Sequence, residues 1–440
     1  MTRPPPPVRE PVPALWAGIV GTGLIRAGGA AIGLMLQLYE ARIGIPPQFV
    51  GLIGVAFYLT ELTGAPIFGA LVDRRGWRPF MLLGPLLAAV AVLLTWLTTA
   101  LALTVALPLL FVTRLLEGLA VASNTPATLS FLSAASGGNP NRRARTTGAF
   151  QIAVIGGTAV GGVLGGLLAN QFGVNGFGVL AAFYLLCWAV FLRVPGTLPN
   201  QPTAQAHPNP LAVLRQPALW AFAPAWIAVN GVLGVWLNNF AHQLTLPCAA
   251  PPTAQLAALC AATSDQLLVG DYSATSAGLI FAGFAVVFSV GMLLWTRILP
   301  RMRPSLAMLL AAGGGLLTCA LITLINRQSA AAGLPVLPLL GLVGALLVLS
   351  GFTPAALSVL MELAERNAAD RGAVMGAYSV LLGVGQFIGG AIGGVFAAAA
   401  GVNGLIMLPL GLTMIAGLCV IIYRQMEARP LSFSQESQQP

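Results

Sequence analysis

Lysine is absent from this 440-residue chain, and charge of any kind is scarce at 8%. A soluble domain carries about a quarter of its residues as Asp, Glu, Lys and Arg, so a soluble globular protein is excluded at once. Two histidines, His207 and His242, leave no material for a histidine metal cluster, and five cysteines form no metal-ligand spacing; no metal and no cofactor are expected. Nor do aromatic residues interleave with basic ones as nucleic-acid stacking requires, so the net charge of +9 does not predict a nucleic-acid partner. What fills the space is apolar: 57% of residues are hydrophobic and the mean hydropathy is +0.86. That is the composition of a chain that crosses a lipid bilayer many times.

A crossing helix needs about 20 mostly apolar residues. Apolar runs predict twelve, at 14–39, 48–72, 79–100, 105–133, 147–170, 174–194, 217–243, 276–299, 304–325, 335–360, 374–399 and 402–423. The fold class is therefore all-α and polytopic. All 21 basic residues are arginine; with the N-terminus inside, 17 fall in inner segments, Arg42 and Arg327 fall outside, and Arg26 and Arg114 lie within spans. Basic residues favour the cytoplasmic side, so both termini are expected there. The chain then divides into a Pro-rich cytoplasmic leader (1–13), a six-helix bundle (14–194), a cytoplasmic linker (195–216), a second six-helix bundle (217–423) and a cytoplasmic tail (424–440). An inner or plasma membrane and a monomer are expected. The lack of lysine suggests a GC-rich, bacterial genome.

Cys187, Cys319 and Cys419 lie in apolar runs and are expected to act as small core residues. Cys248 and Cys260 share one polar outer loop. In an oxidising compartment they form either a disulfide or two free thiols; sequence leaves both open.

The chain repeats itself. Thr125–Gly176 and Thr353–Gly404 align without a gap at an offset of 228, with 20 identities in 52 positions. "ALWA" at Ala14 returns at Ala218, an offset of 204. Six spans per copy is an even number, so the two copies share one orientation, the parallel-repeat design of a large transporter class.

One stretch concentrates charge: "GALVDRRGWRP", Gly69–Pro79. It resembles the loop 2–3 signature of the major facilitator superfamily, with Gly69, Leu71, Asp73, Arg74, Gly76 and Arg78 matching. "RLLEGLAVA" from Arg114 is similar to that family's fourth-helix pattern, through Arg114 and Gly118. "GTAVGGVLGG" resembles the fifth-helix motif of the exporter branch through Gly157, Gly161, Gly165 and Gly166, with Gly162 where the motif has proline. The resemblance covers the whole chain and implies two pseudo-symmetric six-helix bundles and transport by alternating access. It also implies that Gly69, Asp73, Arg74, Gly76 and Arg78 form a conformational latch. Its partners would be the eleventh helix and Glu362, Glu365 and Asp370 before it, with Arg142, Arg143 and Arg145 nearby. The alternative is that these arginines mark topology alone; orientation does not explain Gly69, Asp73 and Gly76, which favours the latch.

Arg26, Glu61, Arg114 and Glu117 fall deep within predicted spans. Unpaired, four such charges would cost on the order of 10–14 kcal/mol, so pairing or a wet cavity is required; Arg26–Glu61 is one candidate pair. At the repeat offsets Arg26 corresponds to Asn230, Arg114 to Leu342 and Glu117 to Ala345, so the second bundle lacks these charges. The expected substrate and proton path is lined by Arg26, Glu61, Arg114, Glu117, Asn230, Trp236, Asn238 and Gln386, charged on one wall and apolar on the other. Glu61 and Glu117 are the candidate proton carriers, and Arg114 is implied by its motif to tune them. Such a path suits proton-coupled export of a small amphiphilic or drug-like compound. Two alternatives stay open: a lipid or glycolipid flippase, and an organic-anion transporter using Arg26. A membrane enzyme would need a catalytic cluster near one surface, and the outer acids Glu40, Asp265 and Asp271 are scattered.

Overall fold

The computed structural model describes residues 12–135, 140–196, 217–328, 336–366 and 371–428. These residues are helical almost throughout: α1 Val12–Ile43, α2 Pro47–Arg75, α3 Arg78–Thr98, α4 Leu103–Ala135, α5 Pro140–Phe172, α6 Gly176–Phe191, α7 Pro217–Leu244, α8 Ala254–Ala262, α9 Ala274–Ile298, α10 Pro304–Asn326, α11 Val336–Leu349, α12 Phe352–Arg366 and α13 Arg371–Ala428. Helix is the one way for an apolar segment to satisfy its own backbone in lipid. Side-chain hydroxyls follow the same rule: Thr22, Thr95 and Thr318 each donate to the carbonyl four residues earlier.

Among the described residues nine helical stretches are long and apolar enough to cross a membrane. Two of them, Ile152–Phe191 and Val380–Met426, run to 40 and 47 residues, far beyond the ~20 a crossing needs. Each is broken once. Between α5 and α6 lies a single 3-10 turn, Gly173–Asn175, with Gly173 at φ 55°. Inside α13 the break is Ala400–Gly401, with Gly401 at φ 60°. These two left-handed glycines are 228 residues apart, the offset of the sequence repeat.

Other boundaries differ from the apolar runs by local chemistry. The tenth run, 335–360, is divided at Ser350–Gly351 into α11 and α12. The loop after α7 holds the short helix α8, whose start is capped by Thr253 accepting from Leu256 N at 3.3 Å.

The chain packs as two compact units, Met1–Met35 with Thr63–Gln205, and Leu36–Leu62 with Ala206–Pro440. The units are thus not the two sequence repeats: the end of α1 and the start of α2, Leu36–Leu62, belong with the second. In the first unit α3 packs on α4 and α6. α5 crosses α1 through glycines: a Cβ on Gly157 would stand 2.3 Å from Gly23 O, and one on Gly161 2.3 Å from Ala27 O. The second unit repeats this crossing between α13 and α7. A Cβ on Gly385 would stand 2.4 Å from Ile227 O, and one on Gly389 2.0 Å from Gly231 O. The glycines are offset by 228 and the carbonyls by 204, so both offsets in the sequence describe one helix crossing built twice. Small residues at such crossings let backbones approach closely. The second unit's core is led by a stack of Phe222, Trp226 and Phe352, with ring centroids 6.2 and 6.3 Å apart.

Candidate functional site

α4 carries the densest buried charge of the first unit. Arg114 and Glu117, three residues apart on one helical face, form an ion pair, with side chains 8% and 5% exposed. The pairing is within a single helix, which satisfies two of the four expected intramembrane charges locally. Glu117 Oε1 is buried and has no hydrogen-bond partner among the described residues. A carboxylate with one oxygen committed to a guanidinium and the other open can take a proton without dismantling its surroundings.

Arg26, on α1, donates to Thr125 Oγ1 of α4 at 3.4 Å. A crevice of about 10 Å³, room for a single water, lies beside it and is lined by Thr22, Asn124, Thr125, Thr128 and Phe150. A Cβ on Gly157 would also lie 3.1 Å from Arg26 Cβ, so the glycine crossing sets the height at which the guanidinium leaves α1. Its repeat counterpart Asn230 lies against Gly385 in the same way, at 2.7 Å. Glu61 is half-buried on α2 and belongs to the second unit.

The asparagines of α7 are spoken for. Asn230 donates to Trp226 O, Asn238 to Gly234 O, and Asn239 to Val235 O and Gly390 O. All three are buried, and they pack against glycines: Asn238 against Gly54 and Gly390, Asn239 against Gly51 and Gly393. Trp236 is half-buried, edge-on to Phe240 at 5.2 Å. Gln386 is half-buried, and its backbone sits where a Cβ on Gly234 would go.

The α2–α3 turn carries the residues of the expected latch. A Cβ on Gly69 would meet no described atom within 4 Å, so no close helix approach explains that glycine among the described residues. Gly76 is explained: at φ 81° it turns the chain between α2 and α3, a conformation that glycine adopts without strain. Trp77 Nε1 donates to Pro195 O at 2.8 Å, and Arg78 donates to Leu192 O at 3.4 Å, placing a cation at the carbonyl end of α6. Arg74 and Arg75 are exposed. The side chain of Asp73, together with Arg142, Arg143, Arg145, Glu362, Glu365 and Asp370, lies outside the described residues. Of the α5 motif, Gly157, Gly161 and Gly165 meet α1 backbone, while Gly162 and Gly166 are buried.

Two further polar groups stand out. Cys248 and Cys260 are joined, and they brace α8 over Ala41, Leu246, Leu256 and Leu259. Beside them Asn326 accepts from Leu268 N at 2.9 Å and donates to Gln266 at 3.3 Å and Asn403 at 3.0 Å; Gln266 in turn donates to Ala400 O. The other group is Gln37, Glu40, His242 and Gln243, all buried. Gln37 Nε2 donates to Leu237 O at 2.7 Å across 200 residues, and the one available signal was a glutamine in an otherwise apolar helix face.

Paired glycine crossings, twin helix breaks and buried charge in apolar helices define a polytopic membrane protein of the repeat-transporter class. The sequence model of the Major Facilitator Superfamily matches residues 18–272 and 265–439, and the chain belongs to that family. Two curated relatives are an uncharacterized MFS-type transporter, YuxJ, of Bacillus subtilis (29% identical over 44% of this chain and 48% of the relative) and solute carrier family 67 member A1 of Homo sapiens (31% identical over 38% and 39%). The chain thus spans half or less of these relatives' length. Two solved structures of the nucleoside transporter NupG share the fold: a point mutant at TM-score 0.72 and 13% identity, covering 94% of this chain and 99% of that one, and a second structure at 0.62 and 14%, covering 95% and 100%.

Proposed function

We propose that the chain is a proton-coupled exporter of small amphiphilic compounds, working as a monomer by alternating access through twelve spans, with both termini cytoplasmic in an inner or plasma membrane. The observation that carries this reading is the Arg114–Glu117 pair with Glu117 Oε1 buried and open. Proton uptake on Glu117 removes the charge that holds Arg114, and loss of that proton restores the pair. Such a two-state acid inside an apolar helix is an intramembrane ionisable group of the kind used for proton relay. Glu61 is the second candidate carrier.

Arg26 supports a second reading. Its guanidinium sits with Thr125 at a polar crevice, which suits the anionic end of a substrate. A flippase that seats a lipid headgroup there has the same chemistry.

Purified protein in liposomes under a pH gradient, loaded with a pH-sensitive dye, separates these. A lipophilic cation, a lysolipid, an organic anion and a nucleoside (the class in the structural neighbours' name) are added in turn. Proton flux driven by the cation and lost in Glu117→Gln supports export by exchange. Flux driven by the anion and lost in Arg26→Gln moves the second reading ahead. Full flux in Glu117→Gln and Glu61→Gln alike refutes both acids as carriers.

A further inference from the structure

The loop after α7 frames an open cavity of about 490 Å³, a volume in the range of small-molecule sites. One face of α8 packs Leu256 and Leu259 down onto Ala41 and Leu246. Another face, carrying Ala257, Cys260 and Ala261, lines the cavity, and its methyl groups and disulfide leave room that larger side chains would fill. Pro251 and Val269 extend this apolar wall.

Of the described residues that line it, Asp271 alone is charged. Asp271 is held left-handed at φ 59°, directly after Gly270 at φ 81°. Residues with a side chain seldom adopt that conformation, Asn and Asp being the usual exceptions. Three main-chain hydrogen bonds fix this turn: Gly270 N donates to Gln243 O at 2.9 Å, Asp271 N to Leu246 O at 2.9 Å and Tyr272 N to Leu244 O at 3.0 Å. A Cβ on Gly270 would stand 2.8 Å from Cys248 Sγ, so the glycine lets the disulfide lie against the turn. Asp271 Oδ1 accepts from Ala249 N at 3.3 Å, and its Oδ2 has no hydrogen-bond partner among the described residues. Thr263 and Gln266, also on the cavity wall, already donate to Leu259 O and Ala400 O. A rigid frame thus presents one carboxylate oxygen that is free to accept.

We infer that this cavity binds a small organic cation, an alkylammonium compound with a short apolar body. The cationic head pairs with Asp271, and the body lies on Pro251, Ala257, Ala261 and Val269. Charge sets the sign of the ligand. Residues 245–273 hold two acids, Asp265 and Asp271, and no basic residue. Arg42 and Arg327, exposed at the ends of α1 and α10, are not among the lining residues. A bare metal ion fits poorly, because a single carboxylate supplies too few of the oxygen ligands that hard cations take. No aromatic ring lines the cavity among the described residues, so charge and shape recognise the head, without a cation–π cage. The site lies wholly in the second unit and shares no residue with Arg26, Arg114 and Glu117 of the first. Its test reads binding, so it can fail while the transport reading stands, and the reverse.

The full chain in zwitterionic lipid nanodiscs, with both faces open to solution, is titrated calorimetrically with hexyltrimethylammonium. Hexanoate and empty nanodiscs are the controls. The wild type is expected to bind the cation above the empty-disc background, to ignore the carboxylate, and to lose affinity as salt rises. Asparagine tolerates the left-handed turn and can still accept from Ala249 N, so Asp271→Asn should keep the wild-type unfolding midpoint. It should bind about fivefold more weakly, the size of a partly exposed ion pair, and lose the salt dependence. Asp265→Asn changes an acid of the same loop that does not line the cavity, and should bind as the wild type does. Ala257→Leu fills the cavity and keeps the charge; it should also weaken binding, and it carries the test if Asp271→Asn lowers the midpoint. No heat above background in the wild type overturns the proposal. So do full affinity in Asp271→Asn or Ala257→Leu, an equal loss in Asp265→Asn, and equal binding of hexanoate.

Discussion

Gly161→Ala is the sharpest test of the doubled crossing. The added Cβ would lie 2.3 Å from Ala27 O and 2.7 Å from Ala30 Cβ. Ordinary contact begins at 3.4 Å, so the shortfall against Ala27 O is 3.4 − 2.3, or 1.1 Å. Both obstacles sit on the α1 backbone or one bond from it, so no flexible side chain can step aside. α5 and α1 must part by about an ångström, and overpacking of this kind costs about 1–3 kcal/mol. Alanine's better helix propensity returns up to about 1 kcal/mol. The control is one turn and a residue away: a Cβ on Gly156 meets nothing within 4 Å, so Gly156→Ala carries the propensity gain alone. Thermal unfolding in detergent, followed by size-exclusion of the surviving protein, is expected to place Gly161→Ala below the wild type and Gly156→Ala at or above it. Equal midpoints for the two variants would refute the claim that backbone contact at this crossing matters to stability. Gly389→Ala, whose Cβ would fall 2.0 Å from Gly231 O, should repeat the loss in the second unit.

Arg114→Leu leaves Glu117 buried without its guanidinium and is expected to cost about 3–5 kcal/mol, while Arg114→Leu with Glu117→Leu should recover most of that in the same thermal assay. Asn326→Ala removes three side-chain hydrogen bonds at roughly 1 kcal/mol each, so the amide of Leu268, which loses its acceptor, should exchange hydrogen about a hundredfold faster.

The helices were legible because lipid leaves an apolar run no other structure, and the repeat was legible because backbone geometry preserves glycines. Gly173 and Gly401 stand at corresponding positions for one reason, a left-handed turn that a side chain would strain. Partner choice was harder to read. Arg114 and Glu117, three apart on a helix, do stand at contact spacing. The asparagines of α7 read as polar lining, but each of the three donates to the carbonyl four residues back, an option every mid-helix asparagine has and sequence does not reveal. Gln37 and His242 meet across 205 residues, and nothing local announces it.

Arg26 and Asn230 occupy one address in two copies of the same scaffold. Each stands on the helix that receives the crossing glycines, and each has its Cβ against the corresponding glycine, Gly157 or Gly385. The backbone is indifferent to which of them carries a guanidinium. Chemistry here is an attachment to the architecture, and the second copy is a ready template: its ionisable set can be rewritten without touching the frame that holds the helices together.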